Sequence, residues 1–179
     1  MYARYICHHK AMKNNERGFS LIELLIVVVI IGVIASIAAS FFFASKRSAN
    51  EGSSLSSMRL LHSAQVTYSQ GVGAGEYAGD TGAGTLTGLT MLNSAGLIDG
   101  GLASGSKSGY LLVIGREAST PGAAAQFFAS AIPVTSGPVF GTGVHRLGIA
   151  TDGIIKSDTT DTVHYADVNE VIAAPPRNN

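Results

Sequence analysis

The stretch RGFSLIELLIVVVIIG, from Arg17 to Gly32, places one carboxylate, Glu23, at the start of a long apolar segment. From Leu24 to Ala44 the chain carries no charge, and its only polar side chains are two serines. As a helix rising about 1.5 Å per residue, this segment would be roughly 32 Å long, enough to cross the hydrocarbon core of a bilayer. An ionised carboxylate in hydrocarbon costs about 2.5 kcal/mol or more, so such a residue usually serves a function. The sequence therefore predicts a membrane-length helix in which Glu23 has a partner.

The distribution of charge along the chain differs between its beginning and the remainder. The 179 residues carry 12 basic and 12 acidic side chains, and the first 18 hold four of the basic and one of the acidic ones. The remainder is mildly acidic and has no basic cluster, which argues against nucleic acid as the main partner. Because the basic residues precede the apolar segment, we expect a cytoplasmic N-terminus and an outer location for everything after Ala44.

The basic leader, Gly18 and the run FSLIELLIVVVIIGVIAS resemble the N-termini of the type IV pilin and type II secretion pseudopilin superfamily. The resemblance is to the class III prepilin leader and to the first turns of the helix that follows it. It implies that a prepilin peptidase cleaves after Gly18 and that the new first residue, Phe19, becomes N-methylated. Glu23 would then occupy the fifth position of the mature chain, where the family has a characteristic glutamate.

The resemblance also implies what compensates the charge of Glu23. Cleavage creates a free α-amine on Phe19, which is largely protonated at neutral pH. In the family this amine pairs with the glutamate of a neighbouring subunit, and the pair offsets much of the cost of two charges in a low-dielectric setting. The alternative is that Glu23 lies at the headgroup level near a helix N-terminus, whose dipole favours an anion.

Two features depart from the pattern that the family implies. Many type IV pilins have a proline at the position of Ser40, where it kinks the helix, whereas this chain has none there. Gly32 is retained. Because glycine lowers the stability of a helix interior, a bend in this helix would be expected at Gly32. The C-terminal cysteine pair of many pilins is also missing, since Cys7 is the only cysteine. Closure of the C-terminal region is therefore expected to be non-covalent.

The length of the leader leaves two start sites open. Translation from Met12 would give the seven-residue leader MKNNERG, which suits type IVa pilins. Translation from Met1 would give an 18-residue leader of the kind found in type IVb pilins and some pseudopilins. In either case Cys7, His8 and His9 are absent from the mature subunit, so they are not expected to bind a metal there.

The predicted fold is α+β and pilin-like, with a long N-terminal hydrophobic helix packed on a small antiparallel sheet of three or four strands. The predicted divisions are a leader (1–18), a transmembrane and filament-core helix (19–45), the amphipathic half of that helix (46–70), an αβ-loop (71–108), and an antiparallel sheet with the C-terminal region (109–179).

Hydrophobic spacing defines the packing face of the second half of the helix. At 100° per residue one arc collects the apolar side chains expected to face the sheet, which are Met58, Leu60, Leu61, Ala64 and Tyr68. Gly71 is the expected helix stop. Within the αβ-loop, a short helix is expected from Leu86 to Ser94, ending near Gly96.

The C-terminal half contains three short apolar or alternating segments typical of strands. YLLVI (Tyr110–Ile114) and QFFASAI (Gln126–Ile132) are bounded by glycine and proline, and RLGIATDGIIK contains a third strand, a turn and a fourth. The Asp152-Gly153 pair in that turn predicts a type I′ hairpin from Leu147–Ala150 to Ile154–Lys156, in which both central residues have positive φ.

Acidic residues near the C-terminus raise the question of calcium. Major pseudopilins bind calcium near their C-terminal loop, and carboxylate oxygens suit this ion. The candidates are Asp152, Asp158, Asp161 and Asp167, with Glu170 nearby, but their spacing does not match an EF-hand. Our prediction is that no cofactor is required, with calcium as an alternative to a plain solvated acidic face. No nucleophile-elbow or metal-ligand spacing is present, so we do not expect an enzyme.

These observations predict a structural subunit of a type IV pilus-like filament. The precursor is expected in the inner membrane as a single-pass protein, and the mature subunit in an extracellular pilus or a periplasmic pseudopilus. The family resemblance implies that its partners are related subunits, a prepilin peptidase, and an inner-membrane assembly platform with its ATPase. Two alternatives remain: a type II secretion pseudopilin, and a signal-anchored periplasmic protein that does not polymerise.

Overall fold

The apolar segment forms the first part of one long helix, α1 (Leu21–Gln70), in the computed structural model, which describes residues 18–137, 140–159 and 162–177. The chain divides into two units within this helix, Met1–Ala39 and Ser40–Asn179. In the first unit the described part of the chain is helix from Leu21 onward, and it contains a stretch long and apolar enough to span a membrane, none of which is buried. The helix ends one residue before Gly71, the predicted stop.

The second unit is built on the face of α1 that begins near Glu51. The buried residues of α1 recur at three- and four-residue spacing, as expected for one face of a helix; they are Glu51, Ser54, Ser57, Met58, Leu61, Ala64, Gln65 and Tyr68. The apolar members share a hydrophobic core with residues of the sheet that include Tyr110, Leu112 and Leu147. The helix therefore packs on a sheet, and the α+β prediction is confirmed.

The prediction that Leu60 belongs to this face is wrong, because Leu60 is 42% exposed. The buried face includes the polar residues Ser57 and Gln65, which an argument from apolar residues alone leaves out. Gln65 is fully buried because its amide makes two hydrogen bonds with the backbone of Ala78, at 2.7 and 2.9 Å. Counting these residues shifts the centre of the face toward Leu61 and leaves Leu60 about 100° away on the helix.

The sheet has six strands rather than three or four, and it is mixed rather than purely antiparallel. Its four longer strands are antiparallel neighbours in chain order: β3 (Tyr110–Glu117), β4 (Gln126–Pro133), β5 (Arg146–Ala150) and β6 (Ile155–Asp158). The predicted strand segments lie within or largely overlap these four. The two additional strands are β1 (Asp80–Thr81), parallel to β3, and β2 (Ser106–Lys107), antiparallel to it. Strands of two residues carry no periodicity that a sequence could reveal.

The segment predicted as the αβ-loop contains regular structure. Between β1 and β2 lie α2 (Thr87–Ser94) and α3 (Gly100–Ala103). The short helix predicted from Leu86 to Ser94 is thus confirmed as α2, and Gly96 follows it with a φ of +73°. Since β1 and β2 both pair with the outer edge of β3, this segment covers a sheet edge that would otherwise expose unpaired backbone groups.

The turn between β5 and β6 differs from the predicted type I′ geometry. Of its two central residues only Gly153 has positive φ, at +72°, and Asp152 does not. The Gly153 N–H donates to the Ala150 carbonyl (2.9 Å), and the Asp152 carboxylate accepts from the Ile154 N–H (3.0 Å). The side chain of Asp152 thus stabilises a longer turn, as aspartate commonly does two residues along the backbone.

A final helix, α4 (Val168–Ala173), follows the sheet and was not predicted. Asp167 caps it by accepting a hydrogen bond from the Glu170 N–H (2.8 Å), and Glu170 accepts one from the Ala166 N–H (2.7 Å). Val168 and Val171 are buried, and they form a small second core with Phe128, Ala150 and Tyr165.

Candidate processing and assembly site

The predicted cleavage point lies in an accessible segment directly before α1. Gly18, Phe19 and Ser20 are outside the helix and exposed, and the Phe19 side chain is 82% exposed. Among the described residues, no atom lies within 4 Å of the position that a Cβ would occupy at Gly18. The described residues therefore leave the peptide bond between Gly18 and Phe19 uncovered.

The Glu23 carboxylate closes the first turn of α1. The Ser20 N–H donates to Glu23 Oε2 (2.9 Å), and the Leu24 N–H donates to the Ser20 carbonyl (3.2 Å). A glutamate at the third helical position that bonds back to the N-cap N–H is half of a capping box. The negative charge also lies where the helix dipole favours it. The S-x-x-E spacing of Ser20 and Glu23 was present in the sequence and could have predicted this contact.

Capping uses only one of the two oxygens of Glu23. Among the described residues nothing donates a hydrogen bond to Oε1, and the side chain is exposed. A carboxylate can accept from several donors at once. The cap and a second cationic partner are therefore compatible, and the role of Glu23 in assembly stays a prediction.

The apolar residues that follow are exposed on every side of the helix. From Leu24 to Ile37 the exposed fraction of each large apolar side chain lies between 48% and 61%, with no buried stripe. A helix that is apolar all round needs lipid or protein around it. Gly32 lies in this segment, and no atom comes within 4 Å of its Cβ position, so nothing within the described residues requires a glycine there.

In the second unit, the C-terminal segment is closed by one buried arginine. The Arg146 side chain is 8% exposed and makes two hydrogen bonds with Asp158, Nε to Oδ1 (3.1 Å) and Nη2 to Oδ2 (2.7 Å). Its Nη1 donates to Glu170 (3.1 Å) and to the Val163 carbonyl (3.1 Å). The guanidinium also stacks on the Tyr165 ring. These contacts join β5, β6, the following loop and α4 without a disulfide, which is the non-covalent closure that the sequence predicted.

A second cluster joins α1 to the C-terminal end of the chain. The Glu51 carboxylate accepts hydrogen bonds from the Val144 N–H (2.9 Å) and from Arg177 Nη2 (3.0 Å), and His145 Nδ1 lies 3.2 Å away. Burial raises the pKa of Glu51, but the hydrogen bonds from Val144, Arg177 and His145 outweigh it and hold the pKa below its ordinary value. Glu51 is therefore an ionised anchor between the helix and the sheet.

The candidate calcium ligands do not converge. Asp158 pairs with Arg146, Asp167 caps α4, and Asp152 caps its own turn. Asp161 lies outside the described residues. Within residues 18–137, 140–159 and 162–177 no group of three or more His, Cys, Asp or Glu side chains could hold a metal ion. The described carboxylates thus do not form a calcium site, and calcium binding stays an untested prediction.

Comparison with known proteins agrees with the reading of the N-terminus. Residues 13–39 match the family model for the prokaryotic N-terminal methylation motif. No curated protein and no solved structure matches the chain significantly. The chain carries the prokaryotic N-terminal methylation motif of the class III prepilin leader, followed by a long apolar helix, so the predicted resemblance is confirmed. The match covers only this N-terminal segment, and it supports a type IV pilin-like or pseudopilin-type protein.

Proposed function

We infer that this protein is a structural subunit of a type IV pilin-like filament. In this proposal the precursor sits in the inner membrane, is cleaved after Gly18, is methylated on Phe19, and polymerises through the first half of α1. The observation that carries the proposal is that residues 13–39 match the methylation motif and contain an exposed predicted cleavage point followed by an apolar helix. This helix is exposed on all sides and has one carboxylate, Glu23, in its first turn.

Packing between the apolar helices of neighbouring subunits would drive this assembly. Moving apolar side chains from lipid to protein gains little free energy, so association depends on how closely the helices pack. Gly32 and the neighbouring small residues would let helix backbones approach, since among the described residues no atom beyond the adjacent helix backbone lies within 4 Å of the Cβ position at Gly32. Head-to-tail contacts that do not close into a ring then give an open helical polymer.

The charge pair would determine the register of that polymer. Glu23 already accepts from the Ser20 N–H, and its second oxygen faces no donor among the described residues. The α-amine that cleavage creates on Phe19 of a neighbouring subunit would supply a cationic donor. A subunit out of register would leave two charges unpaired in a low-dielectric environment, which is costly.

The partners that follow from this proposal are related subunits, a prepilin peptidase, and an inner-membrane assembly platform with its ATPase. No catalytic role or cofactor is part of it. A type II secretion pseudopilin remains the alternative, and the missing cysteine pair favours it modestly. If the protein were a signal-anchored protein that never polymerises, the carboxylate of Glu23 within the methylation motif would have no role in assembly.

The test compares Glu23→Gln with Glu117→Gln, a matched change of a carboxylate on β3. Both variants are expected to accumulate in the membrane, and only Glu23→Gln is expected to lose assembly into filaments, scored by electron microscopy of sheared surface material and of periplasmic fractions. Wild-type fibres in the sheared fraction support a pilus, and fibres confined to the periplasm support a pseudopilus. Normal assembly of Glu23→Gln contradicts the charge-pair mechanism, and a purified wild-type protein that retains residues before Phe19 contradicts processing.

A further inference from the structure

A connection between β4 and β5 follows α1 toward its membrane-length segment. Its described residues contact α1 at several points, of which two lie nearer the sheet: the Val144 N–H donates to Glu51 Oε1 (2.9 Å), and the Thr142 carbonyl accepts from Asn50 Nδ2 (2.8 Å). The remaining contacts lie further toward the N-terminal end of the helix. The Gly137 carbonyl accepts from Arg47 Nη1 (3.3 Å), and the Phe140 ring packs edge-on against Phe43, with centroids 5.2 Å apart.

These contacts lie on one face of the helix. Phe43, Arg47, Asn50 and Glu51 are spaced by three or four residues, the spacing that places side chains one above the other. They continue the buried face that packs on the sheet. The connection is also held from the other side, because Thr142 Oγ1 donates to the Gly109 carbonyl (2.6 Å). Phe140 is therefore positioned by the fold.

Phe140 is nevertheless 74% exposed. Phe41 and Phe42, which directly precede its partner Phe43 on α1, are 72% and 64% exposed, so three large aromatic side chains are exposed at this level of the helix, on different sides of it. A soluble protein rarely leaves such a group uncovered, and exposed apolar patches usually mark an interaction surface. We define this group, Phe41, Phe42 and Phe140, as the aromatic collar.

The length of the apolar segment indicates what covers the collar. Counted from Leu24, where charge ends, about 20 residues cross a hydrocarbon core of about 30 Å, so the outer boundary falls between Phe41 and Ala44. Aromatic residues are favoured at this level of a bilayer. Lys46 and Arg47 follow directly, at the level where cationic side chains meet lipid phosphates. Since the Phe140 ring packs edge-on against Phe43, it lies at the level of this boundary.

We propose that, in the unassembled subunit, Phe140 on the β4–β5 connection is inserted among the lipid headgroups at the outer surface of the membrane, beside the helix. This proposal rests on the membrane-inserted precursor of the proposed function and adds a second point of membrane contact, from the globular unit. Two contacts, one on the helix and one on the connection, hold the second unit against the bilayer before it is extracted into a filament.

The test uses tryptophan as a depth reporter, because the chain contains none. Three full-length variants, Phe140→Trp, Val72→Trp and Ile34→Trp, are reconstituted in vesicles of equal parts phosphatidylethanolamine and phosphatidylglycerol, with or without lipids brominated near the headgroup end or near the end of the acyl chain. Val72 is a matched control because it is also 74% exposed and lies just after the end of α1, about 40 Å of helix beyond Phe43. Ile34 reports the membrane centre.

Phe140→Trp is expected to lose roughly half of its fluorescence to lipids brominated near the headgroups, as an interfacial indole should, while Val72→Trp is unaffected. Ile34→Trp is expected to be quenched by lipids brominated near the chain end. Quenching of Ile34→Trp without quenching of Phe140→Trp overturns this proposal and leaves membrane anchoring intact. Quenching of neither overturns both. A blue-shifted emission of Phe140→Trp without lipid quenching also overturns it, because a second protein copy then covers the collar.

Discussion

The guanidinium carbon of Arg146 lies 3.7 Å from the centre of the Tyr165 ring, and the Tyr165 hydroxyl donates to the same Asp158 carboxylate that Arg146 holds. Arginine, tyrosine and aspartate thus form a closed triangle between β5, β6 and the loop that leads to α4. A planar guanidinium is the one side chain that can stack and make two parallel hydrogen bonds at once. The C-terminal region depends on this triangle for its position.

Replacing Arg146 by methionine is expected to lower the free energy of unfolding by about 2 kcal/mol, because Asp158 and Glu170 lose their cationic partner. The value lies below that for a fully buried pair, since the side chains of Asp158 and Glu170 are 23% and 41% exposed. Urea unfolding of the full chain in detergent, followed by near-ultraviolet circular dichroism, measures the change. Arg59→Met is the control, because Arg59 is exposed on α1, and it should shift stability by less than about 0.5 kcal/mol. Equal losses in both variants would contradict the role of the triangle.

The packing of Tyr165 leads to a second prediction, at Gly148 on β5. A Cβ added at Gly148 would lie 2.7 Å from Tyr165 Cε2 and 3.1 Å from Val171 Cγ1. Gly148→Ala is therefore expected to destabilise the protein by about 1–3 kcal/mol through overpacking. Gly122→Ala, where a Cβ meets no atom within 4 Å, should be close to neutral. The same unfolding measurement applies, and a neutral Gly148→Ala would show that α4 and Tyr165 pack more loosely against β5.

The lowered pKa of Glu51 predicts a specific dependence of stability on pH. Because the pKa is lower in the folded than in the unfolded state, Glu51 contributes stability above its unfolded value, and the contribution is lost as the pH falls through the folded value. Glu51→Gln is expected to cost about 2 kcal/mol at neutral pH, since it removes a charge that accepts hydrogen bonds from Val144 and Arg177. The difference from wild type should shrink in acid.

This prediction is checked by measuring the free energy of unfolding of the wild type and of Glu51→Gln from about pH 3 to about pH 7. This range spans the ordinary pKa of a glutamate side chain. Glu117→Gln is the control for the removal of a carboxylate elsewhere in the second unit. A Glu51→Gln profile with the same slope as the wild type in acid would show that Glu51 does not carry the acid sensitivity.

The packing role proposed for Gly32 can be tested separately from the effect of glycine on helix stability. Gly32→Ala should strengthen α1 by roughly 1 kcal/mol, as alanine does in a helix interior. If neighbouring helices approach at this point, the added methyl group should still reduce the yield of filaments. Gly52→Ala is a matched control, because Gly52 also lies in α1 with no atom within 4 Å of its Cβ position, but outside the apolar segment.

Quantification of sheared filaments against total membrane protein gives the result. A loss for Gly32→Ala but not for Gly52→Ala supports close helix packing at Gly32. Equal yields from both variants would show that Gly32 is not a contact point.

The sequence predicted those strands and helices whose position depends on residues close together in the chain. The segment from Tyr110 to Ile114 lies within β3, and Gln126 to Ile132 lies within β4, because buried strands read as short apolar runs bounded by breakers. The methylation motif was recognisable because the end of the basic leader, the predicted cleavage point and Glu23 lie within a few residues of one another. The Asp167-x-x-Glu170 spacing that caps α4 was equally local and could have predicted that helix.

The contacts that organise the second unit join residues far apart in the chain. Arg146 meets Glu170 over 24 residues, and Glu51 meets Arg177 over 126. No periodicity in one sequence links such partners. The place of Phe140 beside Phe43 has the same origin, since 97 residues of chain separate two rings that only the folded β4–β5 connection brings together.

The triangle around Arg146 has a consequence for how the second unit folds. With Cys7 as the only thiol in the sequence, the subunit cannot form an internal crosslink, and its C-terminal closure is electrostatic and aromatic instead. Folding of the second unit therefore requires no oxidase or disulfide isomerase, and its stability should be the same with or without a reductant. The closure should also respond only weakly to ionic strength, because the Arg146 side chain is 8% exposed and salt screens buried ion pairs much less than exposed ones.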